Sequence, residues 1–511
     1  MSVVAIIPIL MVMLVYPCIA AEQKAPEEER SFKKEAYLKS ARERKVLRIG
    51  LVDCIAYALK RNSDIKIKRV EPKLAADEVR IARSDFEPKL DAEYNLHDTT
   101  QKSTNRFYIN DSKVRDIILN GGVSGKLVTG TEYRLDFLNE RYRSNADISS
   151  INPYYLTEPV VTITQPLFRD FGILVNRADI IIAQNNKLKS DQDFKNTVMD
   201  IISQTKTAYY NYVFGLESYG IAELYLQRTR DLLDINRARY AKGLVSSVDL
   251  LESEAAVADR EKYLLAAEYI LKTSEDKLKF VTNLIDDPEI WNTMIELIDR
   301  PEFTVEKVDL VKCIEDAFQY RPDYQSKKID LRNRDIRITV AKNALLPTVD
   351  VIGSFGLNGI AENYGGALNR IDRNFIDWSI GGKVEIPWGM GDRARYDQKK
   401  LEKARAILEL ERLEQNIILV VRDKAREVDI QYRQERAAKI SKEKETENYA
   451  AQKERLAAGQ VSTHDMLDYQ DKLSSAELDH TKAVIDYSTA LINLDKEVGL
   501  TLVKNNIKLE D

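Results

Sequence analysis

The chain has 511 residues, of which 44% are hydrophobic and 31% charged, with a formal net charge of −5. That apolar share suits a folded protein, and the slightly acidic balance lacks the polycationic footprint of a nucleic-acid binder. Three Cys and three His, none in CxxC or HExxH spacing, exclude a zinc site or disulfide scaffold as the organising principle, and sparse Gly (20) and Pro (13) favour long helices.

Ser2 to Ala21 carry no charge, and Val3 to Val15 are almost wholly apolar, closing on Cys18-Ile19-Ala20-Ala21. A short apolar core ending in small residues predicts a cleaved export signal over 1–21, with the Met1 amine supplying the missing positive charge. Cys18 raises lipidation as an alternative, which Pro17 disfavours. Residues 22–50 read as a charged extension, a lead-in to a helix at Leu51. After residue 21 no run of 18 apolar residues follows, so no spanning helix is expected. Cys54 and Cys313 are expected as small hydrophobes on helices.

The chain is an internal duplication. A shift of 259 residues aligns Leu51-Val52-Asp53-Cys54-Ile55 with Leu310-Val311-Lys312-Cys313-Ile314, and continues through Pro88 with Pro347. A shift of 216 pairs Arg239-Tyr240-Ala241-Lys242-Gly243-Leu244-Val245-Ser246 with Arg455-Leu456-Ala457-Ala458-Gly459-Gln460-Val461-Ser462, and reaches Asp249 with Asp465. Two matches in one order with different shifts mean two copies with insertions of different length, too long a period for a solenoid. The first copy spans 51–285 (strands about 88–166, long helices about 172–283) and the second 310–500 (strands about 347–387, long helices about 391–498). Residues 286–309 link them, and 501–511 form a tail.

No proline falls between Pro166 and Pro288, and neither Gly nor Pro between Asp392 and Ala458. The latter run, as one helix, would span roughly 100 Å. Met466, Tyr469, Leu473, Ala476, His480, Ala483, Tyr487, Ala490 and Leu494 recur at spacings of three and four, as do Val248, Leu251, Ala255, Ala258, Lys262, Leu265 and Tyr269. Both read as seams of helices packed side by side, with Lys262 and His480 as imperfect positions.

Other segments have a period of two. Leu90, Ala92, Tyr94 and Leu96 alternate with Asp91, Glu93 and Asn95; Tyr133, Leu135 and Phe137 with Glu132, Arg134 and Asp136; Trp378, Ile380, Val384 and Ile386 with Asp377, Ser379, Lys383 and Glu385. Strands of about 9–11 residues with one apolar and one charged face carry the dyad pattern of outer-membrane barrels. The polar stretches 97–117, 142–157 and 358–375 read as loops between them.

With the export signal, this combination resembles the TolC-like outer-membrane efflux proteins over nearly the whole mature chain. Gln165-Pro166-Leu167-Phe168 with Phe171-Gly172, Ile386-Pro387-Trp388-Gly389 with Gly391, and the turns Gly243 to Asp249 and Gly459 to Asp465 carry the resemblance. It implies a mainly α fold with a membrane β-barrel: a homotrimer whose shared barrel crosses the Gram-negative outer membrane above a coiled-coil tunnel reaching into the periplasm. Pro166, Gly172, Pro387 and Gly391 would mark strand-to-helix turns. Gly243, Leu244, Val245, Ser246, Asp249, Gly459, Gln460, Val461 and Ser462 would form the tip that docks a membrane-fusion adaptor. Asp465 and Asp468 would ring the closed aperture, with Leu456 and Val461 standing where some members carry a Tyr and an Arg. One departure stands out. Pro88 to Pro166 spans 78 residues, whereas Pro347 to Pro387 spans 40. The excess reads as an added hairpin around Gly122 to Phe137, which either raises the usual four strands per subunit to six or lies outside the barrel.

The function implied is a passive exit duct of a tripartite efflux pump or type I secretion system, with no cofactor and with energy supplied by inner-membrane pump or ABC-transporter partners. Asn120 to Leu127 lacks the first Gly and the Ser/Thr of a phosphate loop. An exported coiled-coil scaffold would explain the heptads but not the strands, and a hydrolase finds no Ser–His or Cys–His constellation.

Overall fold

A computed structural model describes residues 46–102, 111–145, 150–287, 290–300, 304–372 and 375–509. The expected signal peptide, Cys18 and the extension as far as residue 45 lie outside the described residues. In chain order, β1 (Val46–Ile49) is followed by α1 (Leu51–Arg61), α2 (Ser63–Lys68) and α3 (Glu71–Ser84). Four strands come next, β2 (Lys89–Gln101), β3 (Ser112–Lys126), β4 (Glu132–Ser144) and β5 (Tyr154–Pro166), then α4 (Ile173–Asn176), α5 (Ala178–Tyr240) and α6 (Ser247–Val281). β6 (Met294–Leu297) lies in the linker, and the second copy runs through α7 (Leu310–Tyr320), α8 (Pro322–Asn343), β7 (Thr348–Leu357), β8 (Gly359–Ala361), α9 (Tyr364–Asn369) and β9 (Ile376–Glu385). It ends with α10 (Gly391–Ala457) and α11 (Thr463–Val498), and α12 (Thr501–Lys504) opens the tail. The run without Gly or Pro is one 67-residue helix, and α5 reaches 63 residues. Asp309 caps α7, accepting from the Val311 amide at 3.0 Å, and Pro322 opens α8 where its missing N–H costs nothing.

The chain divides into two compact units. One gathers the described residues up to Asn62 with Gln204–Phe303 and Ala437–Ile485. Its core surrounds the parallel pair β1–β6, where Ile49, Cys54, Tyr209, Tyr212, Leu278, Leu284 and Ile295 are buried together. The Tyr212 and Tyr209 hydroxyls donate to the Ile295 and Asp299 carbonyls at 2.6 and 2.8 Å, so each phenol keeps its polar end satisfied inside an apolar cluster. The extension therefore ends in a strand. Four residues are too few for a period of two to register, and the partner strand sits in the linker between copies.

The other unit, Ser63–Ser203 with Thr304–Arg436 and Asp486 onward, holds one antiparallel sheet in the order β2-β3-β4-β5-β7-β9, with β8 paired to β5. Register fixes the faces. Leu90, Val123, Leu135, Val161, Phe355 and Trp378 pair in one row across all six strands. The adjacent row, Lys89, Ser124, Arg134, Thr162, Ser354 and Ser379, is polar throughout and points to the opposite face. The first four strands run 13–15 residues, longer than the alternation suggested. Backbone pairing continues where both faces turn polar: Thr99 to Gln101 pair with Ser112 to Val114, and the Asp98 carboxylate accepts from Arg115 Nε at 2.8 Å. Asn120 to Lys126, compared above with a phosphate loop, is strand.

The two seams differ in what covers them. In α11, Met466, Leu473, Ala476, Ala483, Tyr487, Ala490 and Leu494 are buried. In α6, Val248, Leu251, Leu265 and Tyr269 are 70%, 66%, 66% and 73% exposed, while Ser253, Ala256, Ala267, Ser274 and Leu278 face inward. A heptad reports that a face is apolar, not which chain covers it. Here the large apolar stripe of α6 finds no cover among the described residues of its own chain.

Candidate functional site

The helix reversals of the two copies are built alike. Gly243 and Gly459 stand at φ +71° and +73°, the left-handed region that an unbranched backbone enters without penalty. In the first, the Gly243 amide donates to the Tyr240 carbonyl and the Leu244 amide to Arg239, both at 2.9 Å. In the second, Gly459 donates to Leu456 at 3.0 Å and Gln460 to Arg455 at 2.9 Å. Both are Schellman motifs, which satisfy the last carbonyls of a helix that must stop abruptly.

Each following helix opens with a reciprocal cap. The Asp249 amide donates to Ser246 Oγ at 3.2 Å, while Asp249 Oδ2 accepts from the Ser246 amide at 2.9 Å and its hydroxyl at 2.7 Å. The Asp465 amide donates to Ser462 Oγ at 3.1 Å, and Asp465 Oδ2 accepts from the Ser462 amide at 3.3 Å and its hydroxyl at 2.6 Å. The Ser462 hydroxyl, its amide and then the neighbouring His464 hold the Asp465 carboxyl below its usual range; Ser246 does the same for Asp249. Asp465 thus serves its own helix first. Asp468, one turn on, pairs with Lys472 Nζ at 2.6 Å. Ser-x-x-Asp stands three residues after the turn glycine in both copies, and that placement is the signal from which this capping role could have been read.

The two reversals lie side by side: a Cβ on Gly459 would stand in contact with Arg239 Nη2, 3.7 Å away. His464 Nδ1 approaches Glu252 Oε1 at 2.7 Å. Beneath them Leu232, Ala256, Leu456, Met466 and Leu467 form a small apolar cluster, so Leu456 is a core residue of the tip. Asn236 is fully buried behind it and donates to Ser253 Oγ at 2.7 Å and Thr463 Oγ1 at 3.1 Å, linking α5 to the second turn of α6 and the first residue of α11. Glu252, Asn236 and Ser253 carry no motif, and the contacts that Thr463 and His464 make with them arise only where the two copies pack. Leu244, Ser246, Gln460, Ser462 and Asp468 are exposed, and Val245 and Val461 partly so.

The strand-to-helix turns form the other candidate region. Pro166 is the last residue of β5, Gly172 at φ +106° precedes α4, Pro387 lies just after β9, and Gly391 is the first residue of α10. The turns of the two copies meet, with Arg169 Nη1 3.6 Å from Asp392 Oδ2. Asn343 at the end of α8 accepts from the Asp170 amide at 2.8 Å and donates to the Phe168 carbonyl at 3.3 Å.

An apolar-faced sheet whose two outer strands have no further strand partner among the described residues, continued by helices far longer than a globular core needs, is the build of an outer-membrane channel subunit with a helical tunnel. The chain belongs to the outer membrane efflux protein family, whose model matches residues 54–284 and 313–500. Nodulation protein T of Rhizobium leguminosarum bv. trifolii is 22% identical over 347 residues, 65% of this chain and 69% of that protein. Toxin and drug export protein A of Aggregatibacter actinomycetemcomitans is 21% identical over 223 residues, 42% of this chain and 47% of that protein. Among solved structures, the CmeC outer membrane channel of Campylobacter jejuni superposes with a TM-score of 0.64 at 17% identity, covering 88% of this chain and 86% of that one. The open-state MtrE outer membrane channel of Neisseria gonorrhoeae gives 0.62 at 18% identity, covering 88% and 89%. The family is one of transport channels, located in the outer membrane and extending into the periplasm.

Proposed function

We propose that the protein is the exit duct of a tripartite efflux pump or type I secretion system, working without catalysis as a homotrimer. The observation that carries the trimer is the apolar stripe Val248, Leu251, Leu265 and Tyr269, together with the outer edges of β2 and β9, neither covered nor paired among the described residues. Strand edges in lipid must be satisfied, and closure between copies does so. Energy comes from inner-membrane partners, reached through a periplasmic adaptor. The adaptor docks at the twin reversals, where Leu244, Ser246, Gln460 and Ser462 are exposed around two capped helix starts. Asp465 and Asp468 line the aperture, six carboxylates in the trimer, and favour cations.

A heat-modifiable trimer that conducts in planar bilayers is the expected result. A non-conducting soluble rod would instead make the protein a scaffold. Bulky replacements at Leu244, Ser246, Gln460 or Ser462 should weaken adaptor crosslinking and leave the trimer intact; unchanged crosslinking in all four would remove the docking assignment.

A further inference from the structure

The second copy places two long strands, β7 and β9, between its prolines at 347 and 387, whereas the first places four between 88 and 166. β2 corresponds to β7 and β5 to β9, so the hairpin β3–β4 is the insertion. Two independent observations bear on where it sits. Its strands pair on both sides, β3 with β2 and β4 with β5, and its Val123 and Leu135 continue the apolar row that runs from Leu90 to Trp378. At its lower end no helix follows, yet the turn is anchored. The Gly172 amide donates to the Thr129 carbonyl at 3.1 Å, and Thr131 Oγ1 donates to Gln165 Oε1 at 2.6 Å. Gly130, at φ +96°, packs so closely that a Cβ there would lie 2.2 Å from the Asp170 carbonyl oxygen. The inserted turn is therefore seated in the strand-to-helix junction of its own copy, as a wall strand must be and a peripheral flap need not be.

The geometry points to a barrel of eighteen strands, six from each copy, with the inserted hairpin as part of the lipid-facing wall. This rests on the trimeric channel reading above. With strands about 4.8 Å apart and tilted about 40°, eighteen strands enclose a backbone diameter of about 36 Å, against about 24 Å for the twelve that copies without the insertion would give. The inner face gains Ser124, Arg134 and Asp136, and the Arg134 guanidinium donates to Asp136 at 2.8 Å and to Asp91 of β2 at 3.4 Å, knitting the insertion to the older strand across the lumenal surface. The outer-membrane end is then a wide vestibule, and cargo size is limited by the helical tunnel instead of the barrel.

The test uses the full chain in proteoliposomes, in a cysteine-free background with one cysteine carrying an environment-sensitive fluorophore. Ile380→Cys, on a strand of the second copy, is the reference; Val123→Cys and Leu135→Cys report the insertion. With lipids brominated on the acyl chains, the labels at 123 and 135 should lose emission to the same extent as at 380. Quenching at 380 without quenching at 123 and 135 overturns the eighteen-strand wall. Absence of quenching at all three overturns the barrel reading itself. Should either hairpin variant fail to assemble, Asp136→Cys on the opposite face decides the matter. Labelling there by a membrane-impermeant thiol reagent that lumen-sized polymers block supports the wall, and labelling that polymers leave unchanged overturns it.

Discussion

His464 Nδ1 lies 2.7 Å from Glu252 Oε1, joining the first turn of α11 to the start of α6 and so tying the second copy to the first at the helix reversals. Glu252 raises the His464 pKa above its ordinary 6.5, with Asp465 and Asp468 adding smaller pulls in the same direction. The sign follows directly. A raised folded-state value means the tie contributes fully below pH 6.5 and is lost as pH climbs through that raised value. Imidazole hydrogen-exchange mass spectrometry should give a midpoint above 6.5 for His464 and move it down toward the ordinary value in Glu252→Gln.

Asp465→Ala with Asp468→Ala should keep the trimer while weakening block by multivalent cations and lowering cation selectivity in single-channel recordings. Ser462→Ala separates capping from charge: it removes the acceptor of the Asp465 amide but leaves both carboxylates, costing about 1 kcal/mol of helix stability. Selectivity should survive in Ser462→Ala and fall in the double aspartate variant. Equal effects in both would make Asp465 a capping residue only.

Ile380 stands on the apolar face of β9 and Ser379 on the polar face, where its hydroxyl meets Ser354 at 2.8 Å. Arg in place of Ile380 should cost about 2–4 kcal/mol near the bilayer midplane, whereas Ser379→Arg should be tolerated. Yields of membrane-assembled trimer measure the difference, and equal yields would refute the facing of this strand.

Asn236→Ala should destabilise the tip by about 2–3 kcal/mol, because it strips the fully buried amide from Ser253 and Thr463 and leaves a void in a packed helix interface. Local hydrogen–deuterium exchange over 229–256 and 459–470 reports it, with no change expected in the sheet.

Gly130→Ala should unseat the inserted turn, since a Cβ would strike the Asp170 carbonyl and the positive φ is strained for any other residue. Accelerated proteolysis between Lys126 and Glu132 is the readout. Gly121→Ala, in the same hairpin but with open space around its Cβ, should leave cleavage unchanged.

Much of the architecture is legible in the residues because its signals are long. The 67-residue helix α10 announces itself through the absence of Gly and Pro, and the strand faces through Leu90–Leu96, Tyr133–Phe137 and Trp378–Val384. What escapes is short or nonlocal. The four residues of β1 carry no period, the outer ends of β2 and β3 lose alternation while keeping their ladder, and the α6 stripe looks identical whether its cover is its own chain or another. At the tip, the pairing of Asp465 with Ser462 was readable from Ser-x-x-Asp standing just past the turn glycine, but the meeting of His464 with Glu252 depends on how two helix pairs pack, which no local pattern encodes.

The parallel pair β1–β6 has a consequence for how the chain reaches its final state. Arg48 bonds Glu296, 248 positions further along the chain, and Leu51 bonds Asp299 at the same separation. Closing so large a loop adds only modestly to the entropic cost of the fold, because that cost grows with the logarithm of length, but it delays the moment of closure. A chain threaded amino end first into the periplasm must hold Val46–Ile49 without a partner until Met294–Leu297 has been delivered, so more than half the polypeptide is outside the cytoplasm before this core can form. In the interval the strand is an open edge, and a periplasmic holding factor that shields it would protect the nascent subunit at its most aggregation-prone stage.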